Sequence, residues 1–411
     1  MTKTRAGWFV AVIALLAGDG SGAEWPGWQG PARDGRAPSS VVPAAWPAAP
    51  VKRWQVEVGE GYSSPVVAGT TVFTFARRGD EEAVSALALA DGKLLWRKSY
   101  PVAYSMNPAA VAHGKGPKSS PALGDGKLFT LGITGILSAW NPTSGELLWR
   151  KDFAGRFKST SPLYGTSMSP LVEGKLVIAH VGGHDSGALI AFDTATGKEV
   201  WSRPEDGPGY ASPIVAQLGG VKQVVTQTQN FVIGVELASG ALLWKVPFTT
   251  DYDQNIVTPI VVGDLLIYSG LDKGITAIRP AKQGEAWVTP HVWHSDEAAL
   301  YMSSPILAEE RLCGMSHKRR GQLFCLDPST GKMWWMNEGR TGEHATVLSA
   351  GSHLLVLNNT GELIVAKAEG ATYTELKRYD LADSATWAPP VPLPGAVLIK
   401  DSASVALWSF E

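Results

Sequence analysis

Apolar and polar residues come in short runs along most of the chain, as in Lys175-Leu176-Val177-Ile178-Ala179-His180 and Gly187-Ala188-Leu189-Ile190-Ala191-Phe192. Runs of this length, bounded by glycine and small polar residues, predict strands joined by tight turns. No segment of helical period longer than a few residues interrupts them.

Two markers recur. Gly-x-x-x-Trp stands at Gly92–Trp96, Gly145–Trp149, Gly197–Trp201, Gly240–Trp244 and Gly331–Trp335, the glycine following a small or polar residue. This predicts a hairpin turn feeding a strand whose tryptophan lands in one repeated place. A Ser/Thr-Pro step opens a hydrophobic strand at Ser64, Ser120, Ser169, Ser212, Thr258 and Ser304. From each proline to its closing tryptophan the distance is 28 to 31 residues if Trp287 closes the fifth unit, whereas the joints between units vary from 12 to 25. A unit of about 30 residues holds four strands, and a run of such units predicts a β-propeller.

Two degenerate units follow, opening at His344-Ala345-Thr346 and Trp387-Ala388-Pro389, and the last ends after about three strands. Val51 to Glu57 is a lone strand bearing Trp54. It is expected to supply the missing fourth strand and close the ring. The fold class is therefore all-β, an eight-bladed propeller over residues 51–411; seven blades follow instead if the unit after Val347 is irregular. Residues 24–50 read as an extended segment that the ring can lose more cheaply than 51–57.

Composition adds exclusions. Charged residues make up 18%, and the net charge of −2 offers no basis for nucleic-acid binding. Lys3 and Arg5, an apolar run from Gly7 to Gly18 and Ser21-Gly22-Ala23 have the form of an export signal over residues 1–23, implying a periplasmic or extracellular protein. No cysteine follows that run, so no lipid anchor is expected there. Cys313 and Cys325, the only cysteines, flank a predicted hairpin centred on position 319. They are either two buried thiols or a disulfide.

The small-polar-Gly-[Lys/Glu]-x-x-Trp pattern, with the opening Trp25-Pro26-Gly27-Trp28-Gln29-Gly30, resembles the repeat of the pyrroloquinoline-quinone (PQQ) propellers. That group includes quinoprotein alcohol dehydrogenases and outer-membrane assembly propellers that bind no quinone. The resemblance implies tryptophans docked between blades. For the dehydrogenases it implies PQQ with calcium, two adjacent cysteines, a calcium-binding glutamate and asparagine, and a catalytic aspartate. This chain lacks the cysteine pair, and no motif position carries the other three.

Chain direction places the joints between blades and the hairpins between second and third strands on one face. Candidate ligand-binding residues there are Lys118, Gln227, Gln229, Asp253, Gln254, Asn255 and Lys273, with Tyr62, Tyr210, Tyr301 and Trp387 rimming the channel. Asp251 and Asp253 are weak calcium candidates, since the loop lacks the following glycine and the distal glutamate. His184-Asp185 and His317 to Arg320 read as solvated hairpin tips. These features imply a module that binds a protein, a glycan or a small polar ligand, or alternatively a PQQ- and calcium-dependent oxidoreductase acting on an alcohol or sugar. Cleavage after Ala23 is expected on export; N-terminal sequencing of the exported protein should begin at Glu24, and retention of Met1 would overturn the signal assignment.

Overall fold

The computed structural model describes residues 23–204 and 206–411. The predicted signal over residues 1–23 lies, but for its last residue, outside them. Eight antiparallel four-stranded sheets follow one another, each with its strands in spatial order. Blades 1 to 4 open with Val66–Gly69, Ala122–Gly124, Leu171–Glu173 and Ile214–Leu218. Blades 5 to 8 open with Ile260–Val262, Ile306–Ala308, Ala345–Ala350 and Val391–Leu393.

Ring closure is as expected. Val51–Glu57 pairs antiparallel with Ser404–Ser409 and completes blade 8. The following turn is clasped as well: Gly59 and Gly61 donate backbone N–H groups to Ala403 and Ser402. The buried Lys400 ammonium donates to the carbonyls of Gly59 (3.3 Å), Gly61 (2.8 Å) and Asp401 (2.6 Å).

The recurring tryptophan has a definite mechanical place. In every blade the outermost strand slips register by one residue, immediately before the tryptophan in seven of them. Such a bulge sharpens the local twist and re-aims the next side chain. Four of the skipped residues, Leu95, Leu148, Val200 and Trp334, are large apolar side chains left exposed. The tryptophan then lies against the turn of the following blade. Trp54, Trp96, Trp149, Trp201, Trp293 and Trp335 each donate Nε1–H to a carbonyl of the next blade at 2.8–3.2 Å. Gly145 shows why the turn needs glycine: its φ is +70°, and a Cβ there would stand 2.6 Å from the Trp96 ring. Burying a tryptophan removes roughly 150–250 Å² from water, an upper bound of about 4–6 kcal/mol per ring.

Blade 5 corrects one expectation. Its docking residue is Trp293 on His291–Ser295, not Trp287. Trp287 lies on an extra hairpin, Ala281–Gln283 with Ala286–Val288, inserted between the third and fourth strands. There it covers Gly219 of blade 4.

The Ser/Thr-Pro steps form a second, inner belt. Ser64, Ser120, Ser169, Ser212 and Thr258 each donate a backbone N–H to the hydroxyl of the next in line, ending at Ser304, at 2.9–3.2 Å. Ser64 Oγ turns the other way and donates to Pro389 of blade 8 at 2.8 Å. Cys313 and Cys325 are directly opposed on neighbouring strands of blade 6 and form a disulfide.

The segment before the ring departs most from expectation. Ala23–Trp25 pairs with the inner strand of blade 1, and the Pro26 carbonyl accepts from Leu123 of blade 2. The Arg33 guanidinium donates to the carbonyls of Ser169 (3.0 Å), Pro170 (2.8 Å) and Pro213 (2.9 Å) in blades 3 and 4. Arg36–Ala37 then runs parallel to the inner strand of blade 7. Residues 23–37 thus lie in the central channel as a plug and satisfy polar groups of blades 1, 2, 3, 4 and 7. Residues beyond them run out to blade 8, where Trp46 packs edge-on against Phe410 at 4.9 Å. Removing 24–37 is therefore expected to lower the melting temperature as severely as removing 51–57, and Arg33→Ala to cost about 1–3 kcal/mol in a denaturant titration. A plug deletion that melts like the parent would show that the ring stands without it.

Candidate functional site

At one mouth of the channel the eight blades enclose a cavity of about 480 Å³. The position two residues before each Ser/Thr-Pro step, or its degenerate counterpart, faces into it. These positions are Tyr62, Lys118, Ser167, Tyr210, Ile256, Met302, His344 and Trp387, one per blade. The residue after each (Ser63, Ser119, Met168, Ala211, Val257, Ser303, Ala345, Ala388) is buried. The chain is extended as it enters each inner strand, so adjacent side chains point opposite ways and one residue per blade forms the collar, with Tyr301 and Ser303 on either side of Met302 also bordering the cavity at blade 6. Trp28 and Gln29 of the plug close the cavity from the channel side.

Lys118 is the one lysine in the lining, which holds no arginine, aspartate or glutamate. Its loop is anchored by backbone contact. Tyr62 and Ser63 donate N–H groups to the Pro117 carbonyl at 2.9 and 3.1 Å. Gly116 lies so close to Glu60 that a Cβ would meet its carbonyl oxygen at 2.1 Å. Lys118 Nζ donates to the Tyr164 carbonyl at 2.6 Å, and burial pulls its pKa down to about 8. His113, on the 3-10 helix Pro108–His113, packs edge-on against Trp387 at 4.5 Å. Burial, and then Lys118, depress its pKa.

His344 makes the other ring contact of Trp387, stacked with centroids 4.9 Å apart and planes 16° apart. Its nitrogens are buried and make no hydrogen bond of good geometry, although the Met302 and Trp387 backbones lie near. Burial lowers its pKa to about 4. Ser303 Oγ, also in the lining, is buried without a partner. Tyr301 donates its hydroxyl to Gln254, fixing both at the rim. Tyr252, at φ +61° and 72% exposed, stands over the opening.

Of the seven candidate residues, Lys118 and Gln254 line the cavity. Asn255 does not. It is buried on the opposite parity from Gln254 and Ile256, donating to the carbonyls of Thr228 (2.8 Å), Gln229 (3.1 Å) and Phe248 (2.8 Å). It clasps blades 4 and 5 together. Gln227 is buried outside the lining and donates to the Ser269 carbonyl at 3.0 Å. Gln229 is engaged with Asp185, donating to its carboxylate and accepting from its N–H, both at 2.8 Å. Asp253 sits 3.4 Å from His184 Nε2 in the same lateral cluster. Lys273 is exposed away from the cavity, and Asp251 is exposed. Among the described residues no three acidic, histidine or cysteine side chains are grouped to hold a metal. His344 and Ser167 were not among the candidates, yet they carry the same positional signal as Tyr62 and Tyr210.

The residues present do not fit a calcium-bound quinone. The lining contains no carboxylate, so the calcium of such a group would find no anionic ligand in it. The two cysteines are not in the lining; they are buried opposite one another across a hairpin of blade 6.

The fold and site define a PQQ-repeat propeller with a plugged axis and one aromatic-rimmed mouth. Residues 80–337 match the family model described as outer membrane protein assembly factor BamB, and the chain belongs to that family. A relative, the outer membrane protein assembly factor BamB of Burkholderia pseudomallei, is 25% identical over 195 residues, 47% of this chain and 46% of that one. Quinohemoprotein alcohol dehydrogenase ADH-IIG of Pseudomonas putida is 26% identical over 296 residues, 66% of this chain and 39% of that one. The match thus spans about half the length, or less, of these curated relatives. The crystal structure of BamB from Moraxella catarrhalis superposes with a TM-score of 0.63 at 16% identity, covering 89% of this chain and 98% of that one. That likeness concerns the fold. Among the described residues no helix is long and apolar enough to cross a membrane.

Acid should unfold the protein through its buried imidazoles. His344 and the buried His180 both have folded pKa values near 4 against an ordinary 6.5. The unfolded chain therefore binds more protons between these values, and stability present above pH 6.5 is lost as pH falls through 4. Each histidine contributes a slope of about 1.4 kcal/mol per pH unit. Urea midpoints measured across this window should show that slope reduced by one such increment in His344→Phe; an unchanged slope would place His344 in solvent.

Proposed function

We propose that the protein is an exported binding module of the cell envelope, directed there by residues 1–23, that engages a ligand or a partner's side chain in the channel-mouth cavity. The observation that carries this reading is the collar itself. Eight blades each deliver one side chain to a closed-bottomed cavity where buried polar atoms of His344 and Ser303 lack partners. Its volume lies in the range of small-molecule sites, and its rings offer stacking surface with polar edges. The lining lacks a carboxylate to act as base, and its lysine and imidazoles are not paired with one. That favours recognition over turnover. The relatives named as assembly factors support a protein-binding role for the propeller as a whole, and their outer-membrane naming supports an envelope location.

Thermal-shift measurements with neutral phenols and indoles test the cavity directly. Stabilisation of the parent that disappears in Trp387→Ala/Tyr301→Ala, a variant that itself melts cooperatively, is the expected result. Absence of any shift would overturn the reading. Dye-linked alcohol oxidation after addition of PQQ and calcium would replace it with the oxidoreductase.

A further inference from the structure

The lining also constrains the charge of what enters. Its titratable nitrogen bases are Lys118, His113 and His344, and it holds no carboxylate to pair with them. The nearby acids, Glu60 and Asp401 beside Tyr62 and Asp253 beside Tyr210, are not among the lining residues. Lys118 spends one of its three N–H donors on the Tyr164 carbonyl and has no acidic partner. A buried ammonium without a counter-ion is costly, and an anion brought to it recovers that cost.

The geometry also sets the size and number of charges. No arginine lines the cavity; Arg33, in the plug beneath Trp28, is already bonded to three backbone carbonyls. A phosphate dianion would find one lysine and no guanidinium fork. A single carboxylate matches a single ammonium, and can accept further bonds from the unpartnered His344 imidazole or Ser303 hydroxyl. Two tryptophans and five tyrosines border the cavity, with Ile256, Leu271 and Met302 among them, so the body carrying the carboxylate should be apolar and offer a flat face for stacking.

Building on the cavity as a binding site, we infer that its ligand class is a small aromatic carboxylic acid, the carboxylate held by Lys118 and the ring stacked among the collar aromatics. Indole-3-acetate and its neutral isostere indole-3-acetamide separate this from stacking alone, with affinities read by isothermal titration calorimetry at pH 7. The acid should bind at least tenfold more tightly than the amide. The preference should vanish in Lys118→Met and persist in Lys118→Arg, with amide affinity the same in all three proteins. Equal affinities for acid and amide, or a preference that survives Lys118→Met, would overturn the inference and leave the cavity as a binding site. Failure of both compounds to bind the parent would overturn the inference together with the reading it rests on.

Discussion

The pairing of Val51–Glu57 with Ser404–Ser409 is the contact on which the rest depends. Seven complete blades and a three-stranded remnant would leave two sheet faces and a row of backbone donors and acceptors open to water or to another chain. One strand from the other end of the sequence removes both exposures. It also carries Trp54 to the seam, where the ring meets Leu89 of blade 1 much as the other docking tryptophans meet their neighbours. Once closed, the ring holds its blades at two radii. Outside, tryptophans dock on the turns of the following blades. Inside, the Ser/Thr belt links backbone to hydroxyl through six blades and returns to blade 8 through Ser64.

Closure leaves an axis lined by inner strands, and the plug is the answer to that vacancy. Arg33 satisfies carbonyls that strand pairing cannot reach, while Trp25 and Trp28 fill space. A plugged axis turns a through-channel into a cup. The cup lets eight pseudo-equivalent positions act as one site, with chemistry set by one residue per blade and nearly independent of the packing behind it. Relatives named as an assembly factor and as a quinohemoprotein dehydrogenase share the repeat, as expected where fold and site are separately encoded.

Much of this was legible in the chain because its signals are local. A glycine at positive φ, a bulge and a tryptophan four residues on require only neighbours in sequence, so blade count and closure could be read from spacing. The collar was half legible. Tyr62, Lys118, Tyr210 and Trp387 follow from their distance to the Ser/Thr-Pro step, and Tyr301 also borders the cavity, but Asn255 misses the position by one residue, which in an extended chain reverses the side chain. His344 was hidden because its unit lacks the proline that marks the count. Trp287 mimics Trp293 in the spacing because an inserted hairpin carries a tryptophan at nearly the right distance.

The sequence by itself determined the repeat, the eight blades, the missing strand and the face on which the joints gather, since each is set by turn chemistry and period-two patterning within about thirty residues. Only the tertiary structure decided that residues 23–37 fill the axis, that Gln229 and Asp253 belong to a lateral cluster, and that Lys118 faces His113 and His344 without a carboxylate. Those relations join residues far apart in the chain, such as Arg33 and Pro213 or Ala37 and Ala350. No local pattern records them, because they exist only once the ring has closed and brought all eight inner strands around one axis.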